Sequence, residues 1–464
     1  MHGTKDSYAE FIASKTLRAK QHGLVKIPNL ASHLFPFQHH SVEFSLRIGS
    51  SGCFLSTGLG KTEIFLEWCQ KVIEATNEKA LILTPLAVAA QTKRRAERWG
   101  YEARVIRRQS EVGPGINICN YDRLHNLDPT EFGIVVLDEA SILKSFNGKV
   151  SRALIDAFRG YRFKLAATAT PAPNDHMELG QYCDFLDVMA SNEMLTRWFI
   201  ADQNEAGKYR LKRHAVDPFW DWVSSWARMA EKPSDLGDDD SNFDLPSYTV
   251  TRHRARDSAI SREFGSLFGI ADISATNLHD IKRDTIGARS DLTAEIVGRE
   301  KEEPWLIWVD TNYEADAVKA AIPQATEVRG SEPIEAKEEK LEAFALGKRH
   351  ILIGKPSQLG FGLDWAHCAR MLFVGRSFSY EQFYQAIRRC WRYGQKRELQ
   401  VHIIVAEGEA EIGRVIERKS DDHTKMRAAM RAAMRRNLEK VHGIRLSYNP
   451  THIARLPSWL ALGV

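Results

Sequence analysis

The chain has 464 residues, 43% of them hydrophobic and 27% charged, which fits a globular protein of two or three domains and excludes a disordered or fibrous chain. Its 64 Lys and Arg against 60 Asp and Glu leave a net charge of only +4, so any nucleic-acid surface must come from local clustering of basic residues. No run approaches the roughly 20 apolar residues that span a bilayer. The segment Met1 to Lys20 is polar and mixed in charge, unlike a secretory signal. Six cysteines stand singly without a Cys-x-x-Cys pair, which argues against a zinc site or disulfide framework and suits a reducing, cytoplasmic setting.

The first informative element is a short apolar run from Gly52 to Ser56, predicted as a strand and followed by Thr57-Gly58-Leu59-Gly60-Lys61-Thr62. After Lys61, Phe65, Trp68, Cys69 and Val72 recur at helical spacing. A strand, a glycine turn, Lys-Thr and a helix together form a phosphate cradle. Backbone N–H groups and the helix dipole face the anion. Lys61 would reach the β/γ-phosphates of ATP, and the Thr62 hydroxyl would meet Mg²⁺. The general pattern asks for a glycine where this chain has Leu55, so the loop needs a second element to support it.

Gly133 to Leu137 supplies that element. It reads as a buried parallel strand with Asp138-Glu139 at its C-terminal end, the edge where open α/β sheets bind ligands. Asp138 could hold Mg²⁺ and Glu139 could activate water. The alternative, a cap for the next helix, is disfavoured by the glycine loop upstream.

Strands are also predicted at Lys79–Thr84, Ala103–Arg107, Ile116–Cys119 and Arg162–Ala167. A second block has them at Trp305–Val309, Thr326–Val328, His350–Gly354, Arg370–Val374 and Gln400–Val405. Such alternation with helical patterns predicts two parallel sheets covered by helices. Domains are therefore expected at 1–180 and 301–406, with a mainly helical insertion and linker at 181–300 and a helical extension at 407–464. Within the insertion, Asp217-Pro218 should start a helix whose face carries Phe219, Trp222, Val223, Trp226, Met229 and Ala230. Pro233 should stop it, leaving Asp235 to Asp240 as a solvated acidic loop. In the extension, Met426, Met430 and Met434 lie beside Arg427, Arg431 and Arg435, which predicts a helix packed on the second block with its arginines in water, a nucleic-acid or partner contact being the alternative.

Tyr380 to Tyr393 has helical periodicity, with Phe383, Ile387 and Cys390 on an apolar face. Gln385, Arg388, Arg389 and Arg392 fall on the opposite face, and Gly394 should end the helix. Three arginines on one short face call for an anion, and a γ-phosphate is one. A nucleic-acid backbone is the other option, for Arg388 in particular.

In order along about 360 residues, these features resemble a motor of helicase superfamily two, and its Swi/Snf branch most of all. Leu34-Phe35-Pro36-Phe37-Gln38 resembles the segment whose glutamine reads adenine, which implies a base contact for Gln38. Thr84-Pro85 and Asn120-Tyr121 resemble strand-contacting motifs. Ala167-Thr168-Ala169-Thr170-Pro171 with Asn174 resembles the element coupling hydrolysis to motion, with alanine where the branch has glycine. Ser357 through Gly360, Gly362, Leu363 and Asp364 resembles the fifth motif, and Gln385 through Gln395 the sixth.

The resemblance implies two tandem RecA-like domains closing on ATP and Mg²⁺, with Arg389 and Arg392 as arginine fingers. Nucleotide contacts would come from Gln38, Thr57 through Thr62, Gly362 and Asp364. Thr84, Pro85, Asn120, Ser357 and Arg388 would touch nucleic acid. The implied activity is ATP-driven movement along double-stranded DNA, in a compact bacterial or phage form compatible with a monomer. A strand-separating helicase on forked DNA or RNA, and a nucleotide-gated protein remodeller, stay open beside it. The basic run Lys93, Arg94, Arg95 and Arg98 could touch a nucleic-acid backbone or lie on a solvated helix face.

Overall fold

The computed structural model describes residues 17–85, 88–144, 148–172, 176–201, 209–255, 282–359, 365–375, 380–405, 428–429 and 431–436. Two large parallel sheets organise them, each flanked by helices. The first sheet draws on β1 (Ser50–Leu55), β2 (Ala80–Thr84), β3 (Ala103–Val105), β4 (Ile116–Asn120), β5 (Ile134–Asp138) and β6 (Phe163–Ala167). A small antiparallel pair, β7 (Phe199–Ala201) and β8 (Tyr209–Leu211), stands apart, and β9 (Ala227–Ala230) returns to the first sheet. Its order is β3-β4-β2-β5-β6-β1-β9. The central strands β1, β2, β5 and β6 are buried along their whole length, as expected of parallel strands covered on both faces.

The second sheet is built from β10 (Tyr248–Arg254), β11 (Trp305–Trp308), β12 (Thr326–Glu327), β13 (Ile351–Gly354), β14 (Arg370–Phe373) and β15 (Leu399–Val405). Its order is β10-β15-β14-β11-β13-β12. The helices that matter for the site are α1 (Pro36–Ile48), α2 (Lys61–Thr76), α3 (Ala89–Arg98), α4 (Val216–Val223), α5 (Ile334–Ala345) and α6 (Tyr380–Ile387). Among the described residues no helix is long and apolar enough to cross a membrane. All six cysteines are buried and unpaired.

The segment expected as a helical insertion contributes a strand to each sheet. The helix predicted to run through Ala230 ends at Val223, and Ala227–Ala230 pairs with β1 from Gly52 to Leu55. Backbone pairing at the open edge of β1 outweighs the helical periodicity of the side chains. Trp220, Trp222 and Trp226 are fully buried and pack the core. The acidic loop is also not simply solvated. Asp235 is buried and accepts from the backbone N–H groups of Glu231 (2.9 Å) and Lys232 (3.3 Å). Asp238 accepts from Phe37 N at 3.1 Å.

The C-terminal extension departs from expectation in its docking site. Residues 431–436 are helical, and Ala433 and Met434 are buried in the core of the first sheet rather than the second. Their arginines are paired: Arg431 with Glu231 (2.8 Å), Arg435 with Asp235 (3.5 Å), and Arg436 with Asp217 (3.3 Å) and Asp221 (3.0 Å). The acidic residues between 217 and 235 thus face the docked helix. Met426, Arg427 and Met430 lie outside the described residues.

Candidate functional site

The C-terminal ends of β1, β2 and β5 lie at one edge of the first sheet, and the site begins there. Beyond β1, Gly58 (φ 94°) and Gly60 (φ 73°) take left-handed backbone, and α2 starts at Lys61. Both glycines also permit close approach. A Cβ on Gly58 would sit 3.0 Å from Tyr393 N, and one on Gly60 would sit 2.2 Å from Gln38 Nε2. Lys61 Nζ folds back to donate to Leu55 O (3.0 Å) and Ser56 O (3.4 Å). Burial pushes its pKa down, and Glu139 opposes that shift.

Gln38 braces the loop from α1. Its Oε1 accepts from Phe35 N at 3.0 Å, and its Nε2 donates to Leu59 O at 3.1 Å. Leu59 turns its side chain into the first core and does not line the cleft. The buried Thr57 Oγ1 has no hydrogen-bond partner, and Thr62 lines the cleft beside it.

Asp138 closes β5, and its Oδ2 accepts from Thr84 Oγ1 at 3.3 Å. Burial pushes its carboxyl up to about 7; the Glu139 charge adds to this and Lys61 opposes it. Glu139 follows in left-handed backbone (φ 54°), a conformation that costs a non-glycine residue about 1–3 kcal/mol and turns its side chain away from the strand direction. Glu139 is 7% exposed, and its Oε2 has no hydrogen-bond partner. Tyr121 Oη donates to Asp138 O at 2.8 Å and so fixes the turn from below.

The second sheet supplies the opposite wall. Helix α6 ends at Ile387 instead of continuing to Tyr393, and turns carry the chain to Gly394 (φ 96°). Ala386, Ile387 and Cys390 anchor this segment in the second core. The early end of the helix splits the expected arginine face. Arg389 is 1% exposed and points to the cleft; its Nε donates to Gln385 O (3.1 Å) and its Nη2 to Gln385 Oε1 (3.0 Å). Arg392 lines the same cleft. Arg388 instead stacks over the rings of Trp391 (4.3 Å) and Tyr384 (5.2 Å).

Three contacts tie the walls together. Arg389 Nη2 lies 3.9 Å from Glu139 Oε1. Gln385 Nε2 donates to Thr170 Oγ1 at 3.2 Å, and Tyr384 Oη lies 3.5 Å from Ser56 Oγ. The cleft between them measures about 470 Å³.

Its outer rim is aromatic, and sequence inspection missed this. Phe243 stacks on Tyr393 (5.1 Å, 29°) and meets Phe35 edge-on at 4.9 Å. His33 stacks on Trp99 at 3.7 Å. Phe243 sits in the segment joining the sheets, where no periodicity marks it.

The basic run divides. Arg95 lines the cleft and pairs with Glu63 (2.6 Å), and Arg98 lies over Trp99 (5.3 Å). Lys93 pairs with Glu97 (3.4 Å), and Arg94 reaches Glu342 of α5 (3.4 Å).

Thr84, expected to touch nucleic acid, is fully buried with its hydroxyl committed to Asp138, which removes it from any strand-contacting surface. Pro85, Asn120 and Arg388 are half-buried and Ser357 is exposed. Asn174, Gly360, Gly362 and Asp364 lie outside the described residues.

The donor set suits a hard divalent cation. One carboxylate, Asp138, and one hydroxyl, Thr62, face a cleft that contains the unpartnered Glu139 oxygen. Among the described residues there is no cluster of three His, Cys, Asp or Glu. No protein-family model matches the chain. No curated protein shows a significant match either.

Proposed function

We propose that this chain is an ATP-driven motor on double-stranded DNA, made of two RecA-like halves like those of the Swi/Snf branch of helicase superfamily two. The observation that carries the proposal is Arg389, held by the second sheet, beside Glu139, held by the first. Neither sheet alone assembles a site containing a phosphate cradle, a water-activating carboxylate and a guanidinium.

Each side chain then has a task. Lys61 exchanges the carbonyls of Leu55 and Ser56 for the β/γ-phosphates, and the left-handed glycines let N–H groups close on them. Asp138 and Thr62 would hold Mg²⁺, which would supply positive charge to the phosphate oxygens. Glu139 orients the attacking water and accepts its proton at Oε2. Arg389 and Arg392 stabilise charge that develops on the transferred phosphoryl group, an effect worth about 10³–10⁵ in rate in related chemistry. Because they ride on the other half, hydrolysis is gated by the approach of the two sheets. The Gln385–Thr170 bond joins the same approach to the Thr168–Thr170 element.

ATPase rates with duplex DNA, single-stranded DNA and RNA, repeated across salt concentrations, test the proposal. Stimulation by duplex DNA that falls with salt, without strand displacement, is expected. Strand displacement would replace the translocase with an unwinding helicase. Indifference to every nucleic acid would leave the protein remodeller.

A further inference from the structure

We infer that a second, separate site for a phosphate-class oxyanion lies in the first half, around the guanidinium of Arg228, in a pocket of about 160 Å³ that shares no lining residue with the nucleotide cleft. Arg228 belongs to β9 and is 6% exposed. Its Nε donates to His40 Nε2 (3.3 Å) and its Nη1 to Ser224 O (3.0 Å). The plane stacks on Phe44, 3.3 Å from the ring centroid. No carboxylate pairs with it among the described residues.

A buried arginine normally carries a carboxylate, because burying an unpaired charge costs more than a ring face and two neutral acceptors return. Burial here pushes the guanidinium pKa down to about 9. The one carboxylate on the pocket wall, Glu43, is already bound to Arg47 at 2.8 Å. Arg18 lines the mouth, exposed and with no ion pair among the described residues. Three arginines thus face one glutamate.

The size of the pocket sets the ligand class. A water occupies about 30 Å³ of liquid, so the pocket holds the equivalent of about five. That admits a phosphate group with some water. The planar fork of arginine suits tetrahedral oxyanions. The phosphate could be free or belong to nucleic acid. This site does not depend on what the nucleotide cleft does.

Calorimetric titration with inorganic phosphate tests it in four full-length proteins: wild type, Lys61→Ala, Arg18→Glu and Arg228→Met. Wild type and Lys61→Ala should bind with equal affinity at this site. Arg18→Glu, which alters only an exposed residue, should weaken binding at least tenfold, and Arg228→Met should abolish it in a protein whose circular dichroism is unchanged. If Arg228→Met does not fold, Arg18→Glu decides alone. Binding lost in Lys61→Ala and kept in Arg18→Glu would assign the phosphate to the nucleotide cleft and overturn the inference, as would absence of binding in wild type. Adding a duplex oligonucleotide then distinguishes the sources: competition with phosphate marks a nucleic-acid phosphate, and independence marks a free anion.

Discussion

Arg389 Nη2 and Glu139 Oε1 stand 3.9 Å apart, both side chains buried, while Arg389 Nε and Nη2 donate to Gln385 O and Gln385 Oε1. The separation is too long for a hydrogen bond and short enough for strong attraction in a dry site. The guanidinium is therefore held by its own half and aimed at the other. An anion placed between the Lys61 turn and Arg389 would meet preorganised charge on both sides, the condition under which such charges lower a barrier most.

Glu139→Gln should cut turnover by about 10²–10⁴ while nucleotide still binds. It also removes the negative charge that helps push the Asp138 carboxyl up, so Asp138 ionises more readily and Mg²⁺-dependent nucleotide affinity should rise. Single-turnover hydrolysis alongside binding of a fluorescent ATP analogue reads both. Turnover near wild type would remove Glu139 from the chemistry.

Arg389→Ala should lower kcat by about 10³ or more with little change in nucleotide affinity. Arg389→Lys keeps the charge but gives up the forked bonds to Gln385, and should recover only a small part of the rate. Steady-state kinetics of both variants, with thermal melting as a folding control, separates these effects. A loss confined to affinity would instead mark a ground-state phosphate contact.

The two sheets and most of their strands were legible in the sequence because parallel strands buried on both faces are nearly continuous apolar runs, as in Ile134 to Leu137. The glycine turn and Asp138-Glu139 were legible because few other uses require those residues at those places. What failed was decided by tertiary contact. Ala227–Ala230 looks helical from its side chains and becomes a strand because β1 has an open edge. The helix of the arginine segment ends at Ile387, where Arg389 N turns to Ala386 O, three residues back. Phe243 gives no local sign of its place, since its partners Phe35 and Tyr393 are far away in the chain.

Gly58→Ala should impair assembly of the cleft more than folding of either half. The new Cβ meets Tyr393 N at 3.0 Å, and the left-handed φ of 94° adds backbone strain. The contact is with backbone of the opposite wall, so the relief available is separation of the two walls. ATPase activity should fall by more than tenfold while the melting temperature drops by only a few degrees, about what 1 kcal/mol produces in a chain of this size. Equal activity in the variant would show that the walls need not meet at Gly58.

His402 gives a pH signature independent of the cleft. It lies 2.9 Å from His253, and burial, helped by that neighbour, pushes its pKa down to about 4 from an ordinary 6.5. The unfolded chain therefore binds more protons than the folded one between those values, so stability is full above about pH 6.5 and falls as the pH drops toward 4. After solvent screening the loss is on the order of 1–2 kcal/mol. Melting curves from pH 7.5 to 4.5 should show a shallower acid decline for His402→Gln than for wild type. Parallel curves would place the acid sensitivity elsewhere.

The docked C-terminal helix allows a contest between apolar and ionic anchoring. Arg436 reaches Asp217 and Asp221, but its side chain and theirs keep solvent contact, so Arg436→Ala should cost at most about 1 kcal/mol, and less in high salt. Met434 is fully buried in the first core, and a buried methionine cut to alanine costs about 2–5 kcal/mol. That loss is capped by the energy with which the helix docks, because a helix that binds too weakly simply leaves. Met434→Ala should therefore lower the melting temperature clearly at both low and high salt, whereas Arg436→Ala should lower it slightly and only at low salt. The reverse order would mean that the acidic residues between 217 and 235 hold the extension by charge, with the methionine following.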